Sequence, residues 1–458
     1  MLEIIINKTD KILKGKINLP SSKSISNRVL IIKALMKDDF SVQNLSDADD
    51  TVLMEFILNK IEAATGSFKE IRLNCNNAGT VLRFLTAFLA ITPGKWFITG
   101  SERMKLRPVK TLVDSLKQIG AKINYTKNEG YPPLIIEGRE LSSGQIEIDG
   151  SISSQFVTAL LLIAPVLPKG FSIEIKNKIS SFPYIEMTIG LLKYFGIKVN
   201  IRKNEISIQN QSFRAKNIII EPDWTAASYW YEMAAFASDV DITLIGLKNE
   251  SLQGDAVLPD IYKNFGVKTE FTDEGIRLTK GIKVVEQFEF DFTNYPDLAQ
   301  AVIVTCAALN IPSKFTGLES LKIKETDRLS ALHIELQKLG FDTEIFGDSE
   351  IRTENQELRI KNQEPGTMNH EPGTKNPEPG TKNQEPGTRN HEPRTSNQEP
   401  RTRNQEPKTI NTYGDHRMAM AFAPLALVLN SIRLENPAVV SKSYPGFWED
   451  LKNIGFDI

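Results

Sequence analysis

The chain has 458 residues, with 55 Lys and Arg against 57 Asp and Glu, a formal net charge of −2 and 40% apolar residues. That is ordinary globular composition, and the length allows about two to four domains whose cores need no covalent staples. The balance of charge excludes a dedicated nucleic-acid binder, whose affinity rests on clustered positive charge. Two cysteines, Cys75 and Cys306, exclude a disulfide framework or a cysteine-rich zinc module and fit a reducing compartment.

The first residues, Met1-Leu2-Glu3-Ile4, carry neither a basic flank nor a long apolar core, so no signal peptide is expected. A polar loop of small residues, Ser21-Ser22-Lys23-Ser24, opens the first apolar helix, and Thr51 to Ile61 carries a second helical pattern ending near Gly66. The loop Asn76-Asn77-Ala78-Gly79-Thr80 opens another helix, and Leu116-Lys117-Gln118-Ile119-Gly120 closes the one after it. Gln145 to Ile148 reads as a short strand before the opening Ser151-Ile152-Ser153-Ser154-Gln155. The apolar run from Ala159 to Leu167 is too short to span a bilayer. A helix ends at Phe195-Gly196, and a strand over Asn217 to Ile220 precedes Asp223-Trp224-Thr225. Further on, helix ends are expected at Phe265-Gly266, Leu339-Gly340 and Ile454-Gly455, with openings at Asn294-Tyr295-Pro296-Asp297 and Gly414-Asp415-His416-Arg417.

These signals recur. The glycines at 120, 196, 266, 340 and 455 follow helices and precede strands, where a left-handed backbone is needed. The six openings are rich in Ser, Thr, Asp and Asn, the residues that cap helix N-termini. The chain therefore reads as six copies of a unit of about 70 residues, each with two helices and several strands. Three copies per lobe is the natural grouping: residues 20–221 form an N-terminal lobe, and residues 1–19 with 222–458 form a C-terminal lobe. Two chain crossings, at Leu19-Pro20 and Glu221-Pro222, make a hinge.

One segment stands apart. From Lys361 to Thr409 seven heptapeptides follow one another, from KNQEPGT to RNQEPKT. A coiled coil needs apolar a and d positions and tolerates no proline in every heptad. The tract is expected to be disordered, a loop expansion within the C-terminal lobe, since closure costs grow slowly with length. It holds His370 and His391, leaving His333 and His416 as the remaining imidazoles.

Helix N-termini present unpaired N–H groups and partial positive charge, so several facing one cleft make an anion site. Lys23, Arg28, Arg83, Arg328 and Arg417 sit in or beside the openings. The expected ligand is small and multiply anionic, and nothing in the sequence implies a metal or organic cofactor.

The motifs are more specific than the repeat. Leu19-Pro20-Ser21-Ser22-Lys23-Ser24-Ile25-Ser26-Asn27-Arg28 is followed by Asn77-Ala78-Gly79-Thr80 with Arg83, Arg103-Met104 and Arg107-Pro108. Then come Ser153-Ser154-Gln155, Pro183-Tyr184, Pro296-Asp297, Lys324-Glu325-Thr326-Asp327-Arg328, Asp415-His416-Arg417-Met418-Ala419-Met420 and Lys442-Ser443-Tyr444-Pro445. In this order, and across nearly the whole chain, the motifs resemble those of the 5-enolpyruvylshikimate-3-phosphate synthase family. The resemblance implies a two-domain α/β fold, an inside-out α/β barrel in which each domain holds three βαβαββ units and a cleft lies between the domains. It also implies transfer of the enolpyruvyl group of phosphoenolpyruvate to shikimate 3-phosphate in the cytoplasm, by a monomer without nucleic-acid or membrane partners.

By the same resemblance, Lys23, Gly79, Thr80, Arg107, Gln155, Arg328, Arg417 and Lys442 bind phosphoenolpyruvate. Lys23, Ser24, Arg28, Ser153, Ser154, Gln155, Ser181, Tyr184, Asp297 and Lys324 bind shikimate 3-phosphate. Asp297, Glu325 and Lys23 are the catalytic set. Planar guanidinium forks suit carboxylates, and hydroxyls suit phosphate because they donate without adding charge. Addition followed by elimination needs a base near the attacking hydroxyl and a proton carrier near the enol carbon C3.

Each residue also has a plainer reading. Glu325 and Arg328 are three apart on a helix and read equally as a surface pair. Asp297 reads as an N-cap, His416 as a loop-ordering residue partnered by Asp415 and Arg417, and Cys75 and Cys306 as small buried hydrophobes. Arg103 and Lys105 read as solvated loop charges. Ser320 stands where the family pattern has asparagine, and Asn76 and Phe84 where glycine and proline are commoner. Two rival functions share parts of the pattern: UDP-N-acetylglucosamine enolpyruvyl transfer, whose family carries a mobile-loop cysteine that has no counterpart between Cys75 and Cys306, and non-catalytic binding of anionic metabolites, which would not need Asp297 and Glu325.

Overall fold

The computed structural model describes residues 2–36, 38–64, 69–142, 144–150, 153–177, 179–354 and 406–458. The heptapeptide tract up to residue 405 and the weak repeat end at Gly66 lie outside the described residues.

The clearest complete unit runs strand Glu70–Asn74, helix Gly79–Ile91, strand Gly94–Thr99, helix Lys110–Gln118, then strands Lys122–Tyr125 and Leu134–Gly138. The first two strands pair in parallel and the last two add antiparallel. The same βαβαββ order, with the same pairing, recurs from Gly144–Asp149 to Glu205–Ile208 and from Phe288–Asp291 to Glu350–Thr353. The other three units borrow strands from distant parts of the chain. Ile218–Ile219 pairs with Val42–Gln43, Ile12–Ile17 with Asp239–Ile245, and Glu3–Asn7 with Ser431–Glu435.

Local chemistry explains the elements. The first helix of each unit is apolar on nearly every side: Val81 to Ala90, Phe156 to Ile163, Ala226 to Phe236 and Ala299 to Ala307 are buried almost without a break. A helix without a polar face must lie inside. The Lys23–Leu35, Gly79–Ile91 and Ser154–Ile163 helices accordingly pack on one another, as do Trp224–Phe236, Ala299–Ala308 and His416–Phe422. The sheets alternate instead: in Phe171–Lys176 and Asp239–Ile245 every second side chain is buried against the helices. Each large apolar side chain so buried contributes about 1.5–3 kcal/mol.

Buried apolar residues form two separate clusters, one spanning Ile25 to Ile220, the other Ile6 to Leu19 with Trp224 to Phe456. The two crossings between them run side by side. Ser22 N donates to Glu221 O at 2.8 Å and Asp223 N to Pro20 O at 2.9 Å.

Four of the six openings cap their helices with the residue type expected. Ser22, Ser153, Asp223 and Asp415 each accept a hydrogen bond from the first turn. The Gly79 and Asp297 openings do not: Ala78 and Leu298 occupy the cap positions. Gly120, Gly196, Gly340 and Gly455 follow helices at positive φ as expected. Gly266 departs from the pattern. The Leu258–Tyr262 helix has already ended, and Gly266 sits inside strand Phe265–Thr272 at a register shift, so its positive φ serves a β-bulge. The end of the heptapeptide tract departs too. Thr409 and Ile410 form a strand beside Arg433 and Leu434, because Ile410 is fully buried there.

Candidate active site

All six openings converge on one cavity. Lys23 and Ser24, Gly79 and Thr80, Ser153 to Gln155, Asp223 and Thr225, Pro296 and Asp297, and His416 and Arg417 all line it. Segments that begin the second helices complete the wall with Asp50, Arg107, Ser181, Tyr184, Ser320, Lys324, Glu325 and Arg328. Lys442 enters from outside the lining and donates to Glu325 Oε1 at 2.6 Å and to Asn77 O at 3.1 Å. The structure thus brings together every residue singled out for the site: Lys23, Ser24, Arg28, Gly79, Thr80, Arg107, Ser153, Ser154, Gln155, Ser181, Tyr184, Asp297, Lys324, Glu325, Arg328, Arg417 and Lys442.

On one wall, Arg83 donates to Gln155 Oε1 at 2.8 Å, and Gln155 Nε2 donates to Thr80 Oγ1 at 3.2 Å. Arg83 Nε and Arg107 Nε and Nη1 are buried without hydrogen-bond partners. Burial pushes the Arg83 guanidinium down to about 9, with Arg107 beside it adding to the effect. Gly79 lies under these cations: a Cβ there would stand 2.7 Å from Arg83 Nη1 and 2.8 Å from Arg107 Nη1 and Nη2. Buried donors without acceptors are costly and await an anion. Arg28 differs. Its guanidinium donates to Thr188 Oγ1, Ser24 O and Tyr184 O, and burial lowers it to about 10.

The opposite wall holds the carboxylates. Asp297 Oδ2 lies 2.8 Å from Arg417 Nη2 and accepts from the Tyr184 hydroxyl at 3.1 Å, while Lys324 and Arg328 approach Oδ1 at 3.6 and 3.5 Å. Glu325 is held by Lys442 at 2.6 Å, Arg328 at 2.9 Å and Arg107 at 3.7 Å. Burial opposes ionisation of both carboxyls. For Asp297 the Arg417, Lys324 and Arg328 charges outweigh it, and for Glu325 the Lys442, Arg328 and Arg107 charges do. Both acids are therefore held well below the ordinary carboxylate range.

Several plainer readings are corrected. Glu325 and Arg328 are a buried pair, not a surface one, with side chains 9% and 2% exposed. Asp297 does not cap its helix, a place taken by Leu298. His416 makes no hydrogen bond through either ring nitrogen, although Nδ1 lies 3.6 Å from Asp415 Oδ1; Asp415 accepts from Arg417 N at 2.9 Å. Burial, reinforced by Lys23, Arg417 and Lys442, keeps His416 neutral. Arg103 is not solvated, whereas Lys105 pairs with Glu102 as a surface charge. Cys75 and Cys306 are buried free thiols, and the Ser320 hydroxyl is buried without a partner.

Two acids have contacts that the sequence did not assign: Asp50, unnamed there, and Asp415, named only within its motif and beside His416. Asp50, in the first turn of its helix, lies 3.2 Å from Lys23 Nζ. Asp415 grips Arg328 through Nε at 2.7 Å and Nη2 at 3.3 Å. Both look like helix-start acids in the sequence, and only the fold gives them their partners.

The family model for EPSP synthase (3-phosphoshikimate 1-carboxyvinyltransferase) matches residues 7–364 and 389–451. A 3-phosphoshikimate 1-carboxyvinyltransferase of Bacteroides fragilis is 43% identical over 447 residues, covering 97% of this chain and 96% of the relative. One from Haemophilus influenzae is 33% identical over 466 residues, covering 96% of each. The solved EPSP synthase of Acinetobacter baumannii superposes with a TM-score of 0.70 at 20% identity, covering 99% of both chains. The enolpyruvyl transferase NikO of Streptomyces tendae gives 0.66 at 14% identity, covering 99% of this chain and 97% of the other.

Proposed function

The chain belongs to the EPSP synthase family, and from that premise we propose how its cavity carries out the reaction. The reaction itself is transfer of the enolpyruvyl group from phosphoenolpyruvate to shikimate 3-phosphate, in aromatic biosynthesis. The observation that carries the site assignment is the convergence of six helix openings and two opposed cation clusters on Asp297 and Glu325.

Ser24, Arg28, Ser153, Ser154, Ser181, Tyr184 and Lys324 hold shikimate 3-phosphate, with Lys23 and Gln155 between it and its co-substrate. Lys23, Gly79, Thr80, Arg107 and Gln155 take the phosphate of phosphoenolpyruvate, and Arg328, Arg417 and Lys442 take its carboxylate. Asp297, ionised by its neighbours, removes the proton of the 5-hydroxyl as the oxygen attacks C2 of the enol. The C2–C3 π bond supplies the electrons for a new C3–H bond, and Glu325 delivers that proton. Incoming anions draw Arg328, Arg107 and Lys442 away from Glu325, which raises its affinity for the proton it must carry. In the tetrahedral ketal Glu325 takes back a C3 proton, the C3–H electrons re-form the C2–C3 π bond as the C2–phosphate oxygen bond breaks, and the proton held by Asp297 leaves with the phosphate. Lys23 and Lys442 stabilise the charge that develops on the departing phosphate. Residues 20–221 and residues 1–19 with 222–458 act as two lobes that close on the substrates, and the enzyme works as a cytoplasmic monomer. No helix of the described residues is long and apolar enough to cross a membrane.

Glu325→Gln tests the role of the carboxylate. We expect calorimetry to show both substrates bound and turnover to fall at least about 100-fold, the scale of general acid–base catalysis. Full turnover would remove Glu325 from the chemistry.

A further inference from the structure

Arg103 lies in the segment that links strand Gly94–Thr99 to helix Lys110–Gln118, immediately before a short 3-10 turn, Met104–Leu106. Its Nε and Nη2 donate to the carbonyl of Lys324 at 3.1 and 2.8 Å, and Nη2 reaches Lys322 O at 3.4 Å. Those carbonyls close the 3-10 segment Glu319–Ile323, whose C-terminal end carries partial negative charge and acceptors unsatisfied within the turn. The contact joins the two cores, and the carbonyl it grips belongs to the peptide between Lys324 and Glu325.

The segment bearing Arg103 is packed against its neighbours. Ser101 N donates to Asn76 O at 2.8 Å, and Met104 is buried to 1% exposure. A Cβ on Gly100 would meet Asn76 O at 2.5 Å, so the segment lies flat against the loop that carries Gly79. Four residues beyond Arg103, Arg107 approaches Glu325 Oε1 at 3.7 Å. One loop therefore places two guanidiniums on one dipeptide, one on its main chain and one on its carboxylate.

We propose that Arg103 is a positioning residue that latches the lobes together and fixes the Lys324–Glu325 peptide over the phosphoenolpyruvate site. The consequence rests on the substrate assignment proposed above. Shikimate 3-phosphate meets mostly residues of one lobe, with Lys324 reaching it from the other, so its binding needs less from the latch than that of phosphoenolpyruvate does. Phosphoenolpyruvate is shared between Arg107 on one lobe and Arg328, Arg417 and Lys442 on the other, so its binding and turnover depend on closure.

The test is steady-state kinetics and calorimetry on the full-length Arg103→Met and Arg103→Lys variants. Arg103→Met is expected to lower kcat/KM for phosphoenolpyruvate about tenfold or more, partly through kcat, as the closed population falls. Its affinity for shikimate 3-phosphate should fall less than that for phosphoenolpyruvate, since all but Lys324 of the side chains assigned to hold it lie on one lobe. Arg103→Lys should recover part of the loss, because an ammonium can still donate to the Lys324 carbonyl. Unchanged kcat/KM in Arg103→Met overturns the latch. So does a loss of shikimate 3-phosphate affinity in step with the loss for phosphoenolpyruvate, which marks a merely structural role. Failure of the substrate assignment shows separately, as unchanged phosphoenolpyruvate affinity in Arg107→Ala.

Discussion

The missing side chain of Gly79 matters as much as any charge in the cavity. Its Cα stands so close beneath Arg83 and Arg107 that a single methyl would displace both guanidiniums. Gly79→Ala should therefore raise KM for phosphoenolpyruvate about tenfold or more, the penalty for a misplaced charged contact, and leave shikimate 3-phosphate affinity nearly unchanged. Equal effects on both substrates in kinetic titration would contradict that placement. Asp255 offers a residue-scale test of the site's electrostatics. Burial, with Asp297 nearby, raises it to about 7, and Thr225 donates its hydroxyl to it. Its folded pKa lies above the unfolded value, so the folded chain binds the extra proton between about pH 4 and pH 7. Stability from this group is greatest below that window and is lost as pH rises through it. Asp255→Asn removes the loss: the variant should melt a few degrees above the parent at pH 8 and near it at pH 4. A melting difference that ignores pH would count against the assignment.

At the scale of elements, helix ends do two kinds of work. Gly340 terminates its helix at positive φ, and a Cβ added there would meet no other atom of the described residues within 4 Å. Gly340→Ala therefore isolates the backbone cost, about 1 kcal/mol in chemical denaturation. Asp415 caps its helix and forks onto Arg328 at once. Asp415→Asn keeps a capping side chain but loses the charge. It should lose turnover, whereas Asp415→Ala should also lose about 3–5 kcal/mol of stability, because it takes a partner from the buried Arg328. Element signals were readable in the sequence where they are local. Ser22, Ser153 and Asp223 announce their helices because capping is a matter of two or three residues. The apolar run Asn217 to Ile220 shows as a strand, found at Ile218–Ile219, but its two-residue partner Val42–Gln43 is too short for alternation to show, and the two pair across most of a lobe's length of chain. The contact of Arg417 with Asp297 and the grip of Asp415 on Arg328 were hidden for the same reason. A motif names the cation; only the packed fold selects its carboxylate.

The described residues form two cores joined by two adjacent chain crossings, with the proposed site residues divided between them. Binding of a doubly anionic ligand across that division should draw the lobes together, so small-angle scattering of Glu325→Gln is expected to show a smaller radius of gyration with shikimate 3-phosphate and phosphoenolpyruvate than without. An unchanged radius would contradict closure. Strand Glu350–Thr353 precedes the heptapeptide tract in the chain, and Lys408, near the tract's end, donates to Lys338 O. Removing residues 361–405 while keeping Lys408 and Thr409 should leave turnover nearly intact. The central claim is that this cavity moves an enolpyruvyl group onto a phosphorylated shikimate hydroxyl. Phosphate release, measured with phosphoenolpyruvate and either shikimate 3-phosphate or UDP-N-acetylglucosamine as acceptor, tests it most directly. Release that needs shikimate 3-phosphate and collapses in Glu325→Gln is the predicted result; release with the nucleotide sugar alone, or with neither, would contradict it.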